Sequence, residues 1–157
     1  MEGLLEFGLQ EELAKALQEL AQAAAIEPSE LEQEFHDLFI GITRGELLPY
    51  GSWYLSGSLH GASLARLRED LHALGIEREP KQPEPEDHIA AISEVLALLI
   101  KERDARQREV FAKHLAPWAS RFFDDLEKTH AARFYRAVAK VGKIFLGLES
   151  RYLGLER

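Results

Sequence analysis

Apolar residues recur every three or four positions along most of the chain. This spacing places them on one face of an α-helix, so it predicts a series of amphipathic helices. The sequence has no alternating β-branched runs and no Asn-Gly or Asp-Gly turn, which are the usual signs of strands and hairpins. We therefore predict an all-α, single-domain bundle of six or seven helices over residues 1–157. The stripes are Leu13, Leu17, Leu20 and Ala24; Leu31, Phe35, Leu38, Phe39 and Ile42; Leu64, Leu67, Leu71 and Leu74; Ile89, Ile92, Leu96 and Leu99; Trp118, Phe122 and Leu126; and Phe134, Val138, Val141, Phe145 and Leu148.

Several residues have the types expected at helix ends. Ser29, with Glu32 three positions later, fits a capping box, in which the two side chains accept free amides of the first turn. Ser63 and Thr129 are predicted N-caps of later helices, and Gly75 is a predicted stop. Pro117 is predicted to end one helix and to begin the next, because proline cannot donate the helical hydrogen bond.

The composition excludes several classes of function. The chain has no Cys, which rules out disulfides, thiolate metal sites and cysteine nucleophiles. No two of its six His have the three- or four-residue spacing of helical metal ligands, so we predict no metal site. The net charge of -8 argues against nucleic acid as a partner. No apolar stretch is long enough for a membrane span, and the first residues lack a basic signal region, so we predict a cytoplasmic location.

The sequence offers no pattern that is specific for catalysis. Ser56-Gly57-Ser58 lacks the first glycine of a nucleophile elbow, and the glycines fit neither a P-loop nor a dinucleotide fingerprint. A hydrolase that uses Asp87 and His88 is the least favoured alternative, because no nucleophile lies at a fixed spacing from them. We predict no catalytic residue and no cofactor.

Two segments are candidates for binding. Residues 49–55 lie in a Gly- and Pro-rich stretch, predicted as a loop, that carries three large aromatic side chains; these either fill the core or form a binding surface. Residues 85–88 are predicted in the first turn of a helix, where Glu86 and Asp87 complement the helix dipole. These residue types alone favour a capping role, although His88 is not explained by it.

The order of six sequence blocks resembles that of the TorD/DmsD/NarJ family of molybdoenzyme-maturation chaperones. The blocks are residues 31–39, 49–55, 71–76, 84–90, 114–118 and 134–139, and the resemblance covers roughly residues 31–150. The most distinctive block is the Glu-Pro-x-Asp-His run at residues 84–88. The resemblance implies an all-α, non-enzymatic protein that binds the twin-arginine signal peptide, the apo-enzyme, or both, of a molybdopterin oxidoreductase, assists cofactor insertion and delays export.

The resemblance also implies where the peptide binds. Family ligand contacts fall in the aromatic segment and in the Asp-His block, and by position they carry over to this chain. We expect Asp87, with Glu84 or Glu86, to face the arginines, while the aromatic side chains cover the apolar part of the leader. The predicted peptide-binding residues are Tyr50, Ser52, Trp53, Tyr54, Pro85, Glu86, Asp87 and His88.

The chain departs from the family pattern at its start, where only residues 1–9 precede the first stripe. We therefore expect either a shortened N-terminal helix or a more open site. A homodimer formed by helix exchange, which occurs in the family, would close such a gap. The main alternative function is a helical adaptor or subunit that docks permanently on a partner protein.

Overall fold

The computed structural model describes residues 2–41 and 45–155, with side chains from residue 8 onward. These residues form seven continuous helical segments and no strand, so the all-α prediction is confirmed. π-helical turns at His36–Ile40 and Phe111–Leu115 extend α2 and join α6 to α7. No helix among the described residues is long and apolar enough to cross a membrane. The helices are α1 Glu2–Ala23, α2 Pro28–Phe35, α3 Gly51–Ser56, α4 Ala62–Ala73, α5 Ile89–Glu102, α6 Gln107–Val110, α7 Ala116–Lys128 and α8 Phe134–Tyr152.

Backbone proximity groups the chain into two compact units. One contains Met1–Leu48 and Phe122–Arg157, and the other contains Pro49–Arg121. The boundary falls within α7. One domain over residues 1–157 stays a prediction.

In the first unit, α1 packs against α8. The predicted stripe of α1 is partly wrong, because Leu17 is 47% exposed and Ala24 is exposed just beyond the helix end. The inward face instead runs through Ala16, between the half-buried Leu13 and Leu20. The predicted stripe and the observed inward face share Leu13 and Leu20. The small side chain of Ala16 allows a close approach of α1 to α8. On α8 the predicted residues Phe134, Val138, Val141, Phe145 and Leu148 are half-buried, and the buried positions are Ala137, Ala139, Leu146 and Glu149.

The stripe of α2 is also partly wrong. Leu38 is fully buried, but Phe35 is 43% exposed, and Ile42 lies outside the described residues. The π-helical turn that follows α2 has a wider repeat than an α-helix, so positions on its two sides do not share one face. Glu34 takes the inward position in place of Phe35.

The predicted caps of α2 and α8 are wrong. Pro28 occupies the first position of α2, where proline is favoured, so Ser29 lies inside the first turn. The hydroxyl of Thr129 donates a hydrogen bond to the carbonyl of Asp125 near the end of α7 and does not cap α8. The first amides of α8 donate to the carboxylate of Glu34, at 2.8 Å from Arg133 and 2.9 Å from Tyr135. A residue of α2 therefore caps a helix of distant sequence.

The core of the second unit follows the predicted stripes of α4 and α5. Leu64, Leu67 and Leu71 are buried on α4, and so are Ile92, Leu96 and Leu99 on α5. The N-cap position of α4 is Gly61, so Ser63 lies within its first turn instead of capping it. Gly75 ends α4 as predicted, in the left-handed conformation that favours glycine, and the Ile76 amide donates to the Leu71 carbonyl.

Pro117 does not break its helix, contrary to the prediction. The π-helical turn Phe111–Leu115 precedes it, and the chain continues as one helical segment. A wider turn at this point accommodates a residue that lacks an N–H. The indole N–H of the buried Trp118 donates to the His114 carbonyl at 2.6 Å.

Candidate peptide-binding site

The two predicted binding segments lie side by side in the second unit. Tyr50 and His88 form an isolated antiparallel β-bridge. The amide of Gly51 donates to the carbonyl of Asp87 at 2.9 Å, and the amide of Ile89 donates to the carbonyl of Pro49 at 2.8 Å. The backbone therefore fixes the predicted site residues of the two segments relative to each other.

Residues 51–56 form helix α3, so the prediction of a loop here is wrong. The helix contains Ser52, Trp53 and Tyr54, with Tyr50 at its N-cap position. The side chain of Tyr50 provides no cap, and the N-terminal amide of Ser52 donates instead to Oδ2 of Asp87 at 2.7 Å. A carboxylate next to a helix N-terminus is favoured by the partial positive charge there.

Asp87 stabilises a different helix from the one predicted. Pro85, Glu86 and Asp87 precede α5 instead of lying in its first turn, and α5 begins at Ile89. The Asp87 side chain is only 3% exposed, and its carboxylate lies at the start of α3. The dipole argument therefore applies, but to a helix that begins 36 positions earlier in the chain.

His88 is the N-cap residue of α5. Its Nδ1 accepts a hydrogen bond from the amide of Ala90 at 3.1 Å, which requires this nitrogen to be unprotonated. Burial lowers the pKa of His88, although Glu84 and Asp87 act in the opposite direction. The ring meets Tyr50 edge-on, with 5.2 Å between centroids. A neutral imidazole thus explains why histidine is tolerated at a helix N-terminus.

The two neighbouring glutamates already have partners. The Tyr50 hydroxyl donates to Glu84, and burial, together with this bond, raises the pKa of Tyr50 above its usual range. The guanidinium of Arg68 contacts Glu86 at 2.8 Å. Glu84 and Glu86 are therefore less available for an incoming cation than the sequence suggests.

The aromatic side chains of α3 are half-buried. Tyr54 stacks on Trp118, with 5.7 Å between centroids and 25° between ring planes, and its carbonyl accepts a bond from Arg121. Tyr50 and Trp53 have intermediate exposure as well. Leu55, which follows Tyr54 on this helix, is 42% exposed. Packing thus uses part of each aromatic ring and leaves part of it accessible.

A cavity of about 540 Å³ lies next to α3 in the same unit. Of the eight predicted site residues, Ser52 and Asp87 line it, together with apolar atoms of Leu55, Leu67 and Ile92. Three buried polar atoms of lining residues have no hydrogen-bond partner among the described residues: Ser52 Oγ, Ser63 Oγ and Asp87 Oδ1. Buried polar groups are normally paired, so these atoms mark where a polar ligand group would be stabilised.

Comparison with known proteins identifies the family. The model of the family described as nitrate reductase delta subunit matches residues 6–124. The chain belongs to this family. The predicted resemblance to the TorD/DmsD/NarJ chaperones is thereby confirmed, and the matched region includes all eight predicted site residues.

Several proteins similar to this chain carry chaperone names. The Tat proofreading chaperone DmsD of Salmonella typhimurium is 34% identical over 120 residues, which are 74% of this chain and 58% of the relative. The probable Tat proofreading chaperone DmsD of Haemophilus influenzae is 32% identical over 111 residues, 69% and 55% of the two chains. The chaperone protein TorD of Vibrio cholerae is 32% identical over 130 residues, 74% and 59% of the two chains. The chain thus spans a little over half the length of these curated relatives.

The cavity contains a second polar cluster that the sequence does not predict. Nε2 of His114 lies 2.7 Å from Oδ2 of Asp70, and Nζ of Lys113 lies 3.5 Å from the same oxygen. His114 and Asp70 are 44 positions apart, so no local pattern signals their contact. The described residues contain no group of three or more His, Cys, Asp or Glu that could hold a metal ion.

Proposed function

We propose that this protein is a cytoplasmic, non-enzymatic chaperone for a molybdenum-cofactor oxidoreductase. It binds the twin-arginine signal peptide of the client, the apo-enzyme, or both, assists cofactor insertion and delays export. Family membership supports this proposal, as do the names of the relatives, which describe chaperones and, for DmsD, Tat proofreading.

The unpaired carboxylate oxygen of Asp87 is the observation that carries the peptide site. A carboxylate oxygen only accepts hydrogen bonds when it is ionised, and burial without a partner costs free energy. A guanidinium group, with five N–H donors, would satisfy it and form the stronger, charge-assisted kind of bond. In the proposed site, an arginine of the leader therefore binds at Asp87.

The cavity walls suit the rest of a leader. Leu55, Leu67, Ile92 and Pro117 contribute apolar surface beside the acidic group, and a twin-arginine leader continues from its arginines into an apolar stretch. The Asp87 side chain is covered by its neighbours, so peptide binding requires side chains at the wall to shift, as they commonly do at interfaces. The half-buried Tyr50, Trp53, Tyr54, Pro85, Glu86 and His88 form the surroundings of the proposed site.

Titration calorimetry with a synthetic twin-arginine leader tests this site. Asp87→Asn keeps an acceptor for the amide of Ser52 but removes the charge, and we expect about ten-fold weaker binding or more. Asp104→Asn is the matched control, because Asp104 also accepts a backbone amide, from Arg106 at 2.9 Å, and does not line the cavity. Thermal unfolding of both variants separates a loss of fold from a loss of binding. Unchanged affinity in Asp87→Asn would contradict the assignment.

The alternative function is a helical adaptor or subunit that docks permanently on a partner protein, and the family description as a subunit is consistent with it. A permanent subunit remains bound to the finished oxidoreductase, whereas a chaperone leaves it. Co-purification with the cofactor-loaded enzyme supports the adaptor, while binding of the isolated leader and absence from the finished enzyme support the chaperone. The chaperone names of the relatives favour the second outcome.

The proposal includes a homodimer formed by exchange of helices. Light scattering over a range of protein concentrations tests it. A dimer whose mass persists on dilution supports the exchange, because exchanged helices separate slowly, and a single monomeric species at high concentration rules it out.

A further inference from the structure

A second carboxylate, that of Asp70, lines the cavity beside α3 and is held in place by the buried His114. His114 is 8% exposed, and its Nε2 lies 2.7 Å from Oδ2 of Asp70. Because the imidazole is buried, it fixes the orientation of the carboxylate. The hydrogen bond from His114 is the main cause that lowers the pKa of Asp70, so this group is anionic at neutral pH.

Asp70 remains open to a further partner. Its side chain is 35% exposed, and both of its hydrogen bonds, to His114 and to Lys113, use Oδ2. The other carboxylate oxygen makes no hydrogen bond with the described residues. Asp70 is therefore anchored on one side and accessible on the other, as expected of a preorganised acceptor.

The cation that faces Asp70 is weakly held. Nζ of Lys113 lies 3.5 Å from Asp70, at the limit of a hydrogen bond, but only 2.5 Å from Glu109. The lysine side chain is 51% exposed, and exposed lysine pairs contribute little to stability. An incoming cation can thus replace Lys113 at Asp70 while Lys113 keeps its contact with Glu109.

We infer that Asp70 is a second cation-binding carboxylate of the peptide site and that Lys113 occupies it until a peptide with two basic residues arrives. This inference rests on the proposed function. Asp87 and Asp70 line the same cavity and come from different segments, so one binds one arginine of the pair and the other binds its neighbour. A guanidinium has an advantage over Lys113 because it bonds a carboxylate through two parallel N–H groups and is more weakly hydrated.

This arrangement makes the cavity selective for a pair of arginines. A peptide with one basic residue pairs with one carboxylate and leaves Lys113 at the other. A peptide with two basic residues gains both contacts. Asp70 is therefore a specificity-determining residue, and Lys113 is an internal competitor whose removal strengthens binding.

Calorimetry with three leader peptides tests the inference. The peptides are the twin-arginine leader and two versions in which the first or the second arginine is replaced by Gln. We expect Asp70→Asn to weaken binding of the twin-arginine leader about ten-fold, and to have less than a two-fold effect on the version that lacks the arginine bound at Asp70. Lys113→Gln should strengthen binding of the twin-arginine leader about two- to three-fold. Glu94→Gln, an exposed charge removal on α5 outside the cavity, is the matched control and should change affinity less than two-fold.

Failure of the inference is distinct from failure of the proposed function. If the unchanged protein does not bind the twin-arginine leader, the proposed function falls. If it binds, but Asp70→Asn has no effect or weakens all three peptides equally, the role of Asp70 is overturned and the chaperone function stands. Should Asp70→Asn unfold, the Lys113→Gln variant decides. No gain in affinity for the twin-arginine leader, or an equal gain for all three peptides, overturns the inference. A gain for the peptides that retain the arginine bound at Asp70, but not for the version that lacks it, supports the inference.

Discussion

The carboxylate of Glu34 accepts a hydrogen bond from the backbone amide of Tyr135 at 2.9 Å, across 101 positions of the chain. The amides of Arg133 and Phe134 donate to the same group. The first amides of a helix have no partner within it, and a nearby negative charge offsets their partial positive charge. One buried side chain thus stabilises the start of the helix against which α1 packs.

Removal of this carboxylate is expected to destabilise the fold. Glu34→Ala leaves three amides of α8 without their acceptor, and we expect the free energy of unfolding to fall by about 1–3 kcal/mol. Glu34→Gln keeps an acceptor oxygen and should lose less. Urea denaturation measures both values. Glu32→Gln, an exposed position on the same helix, is the control and should stay within about 0.5 kcal/mol; equal losses at both positions would argue against the capping role.

Two glycines of α8 should respond to alanine in opposite directions. A Cβ at Gly142 would overlap the ring of Phe123, and the expected loss of stability is about 1–3 kcal/mol. A Cβ at Gly147 would meet nothing within 4 Å, and the lower chain entropy of alanine should stabilise the protein by about 0.5–1 kcal/mol. Thermal and urea unfolding of the two variants provide the comparison. Destabilisation by Gly147→Ala would show that this face of α8 is covered.

The pH dependence of stability should contain a contribution from His88. The folded state holds its pKa below the ordinary value of 6.5, so the unfolded chain binds this proton more readily. The contribution to stability is therefore fully present above pH 6.5 and is lost as the pH falls through that value toward the pKa in the folded state. His88→Asn can cap α5 but cannot titrate, and its unfolding free energy should fall less between about pH 7 and about pH 5. Parallel curves for the two proteins would exclude this contribution. Asp70, whose pKa is lowered from 3.8, acts only at lower pH.

A pair of equally exposed leucines tests where the apolar part of a peptide binds. Leu55 and Leu98 are both 42% exposed on helices of the second unit, but Leu55 lines the cavity and Leu98 does not. We expect Leu55→Ser to weaken leader binding several-fold and Leu98→Ser to leave it unchanged, with little effect of either on stability. Calorimetry and thermal unfolding measure the two properties. A loss confined to Leu98→Ser would place the peptide on α5 instead.

Helix content follows from local sequence, and so it could be predicted. The spacing of Leu64, Leu67 and Leu71 defines α4, and Gly75 ends it for a steric reason that acts within one turn. The helix caps could not be predicted in the same way, because they depend on neighbouring and distant residues. Ser29 and Thr129 have suitable side chains, but Pro28 starts α2 one residue earlier, and the cap of α8 is Glu34, about 100 positions away.

The candidate site could be predicted only in part, because its segments are recognisable locally but its contacts join distant residues. The resemblance located residues 50–54 and 85–88, and the structure brings these segments together. The helix at residues 51–56 was not foreseen, because its N-terminal amide bonds Asp87, 35 positions later, in a stretch whose local glycine content favours a loop. The contact between Asp70 and His114 could not be predicted, because the two residues are 44 positions apart and nothing in either helix indicates the other.

The bridge between Tyr50 and His88 has a practical consequence for engineering. It holds Tyr50 next to His88, so the length of the exposed loop between α4 and this bridge does not set their spacing. Residues 77–83 are all exposed, and lengthening a loop costs little, about 0.6 kcal/mol for each doubling. This stretch is therefore the place to insert an affinity tag or a fluorescent reporter while the peptide site stays in register.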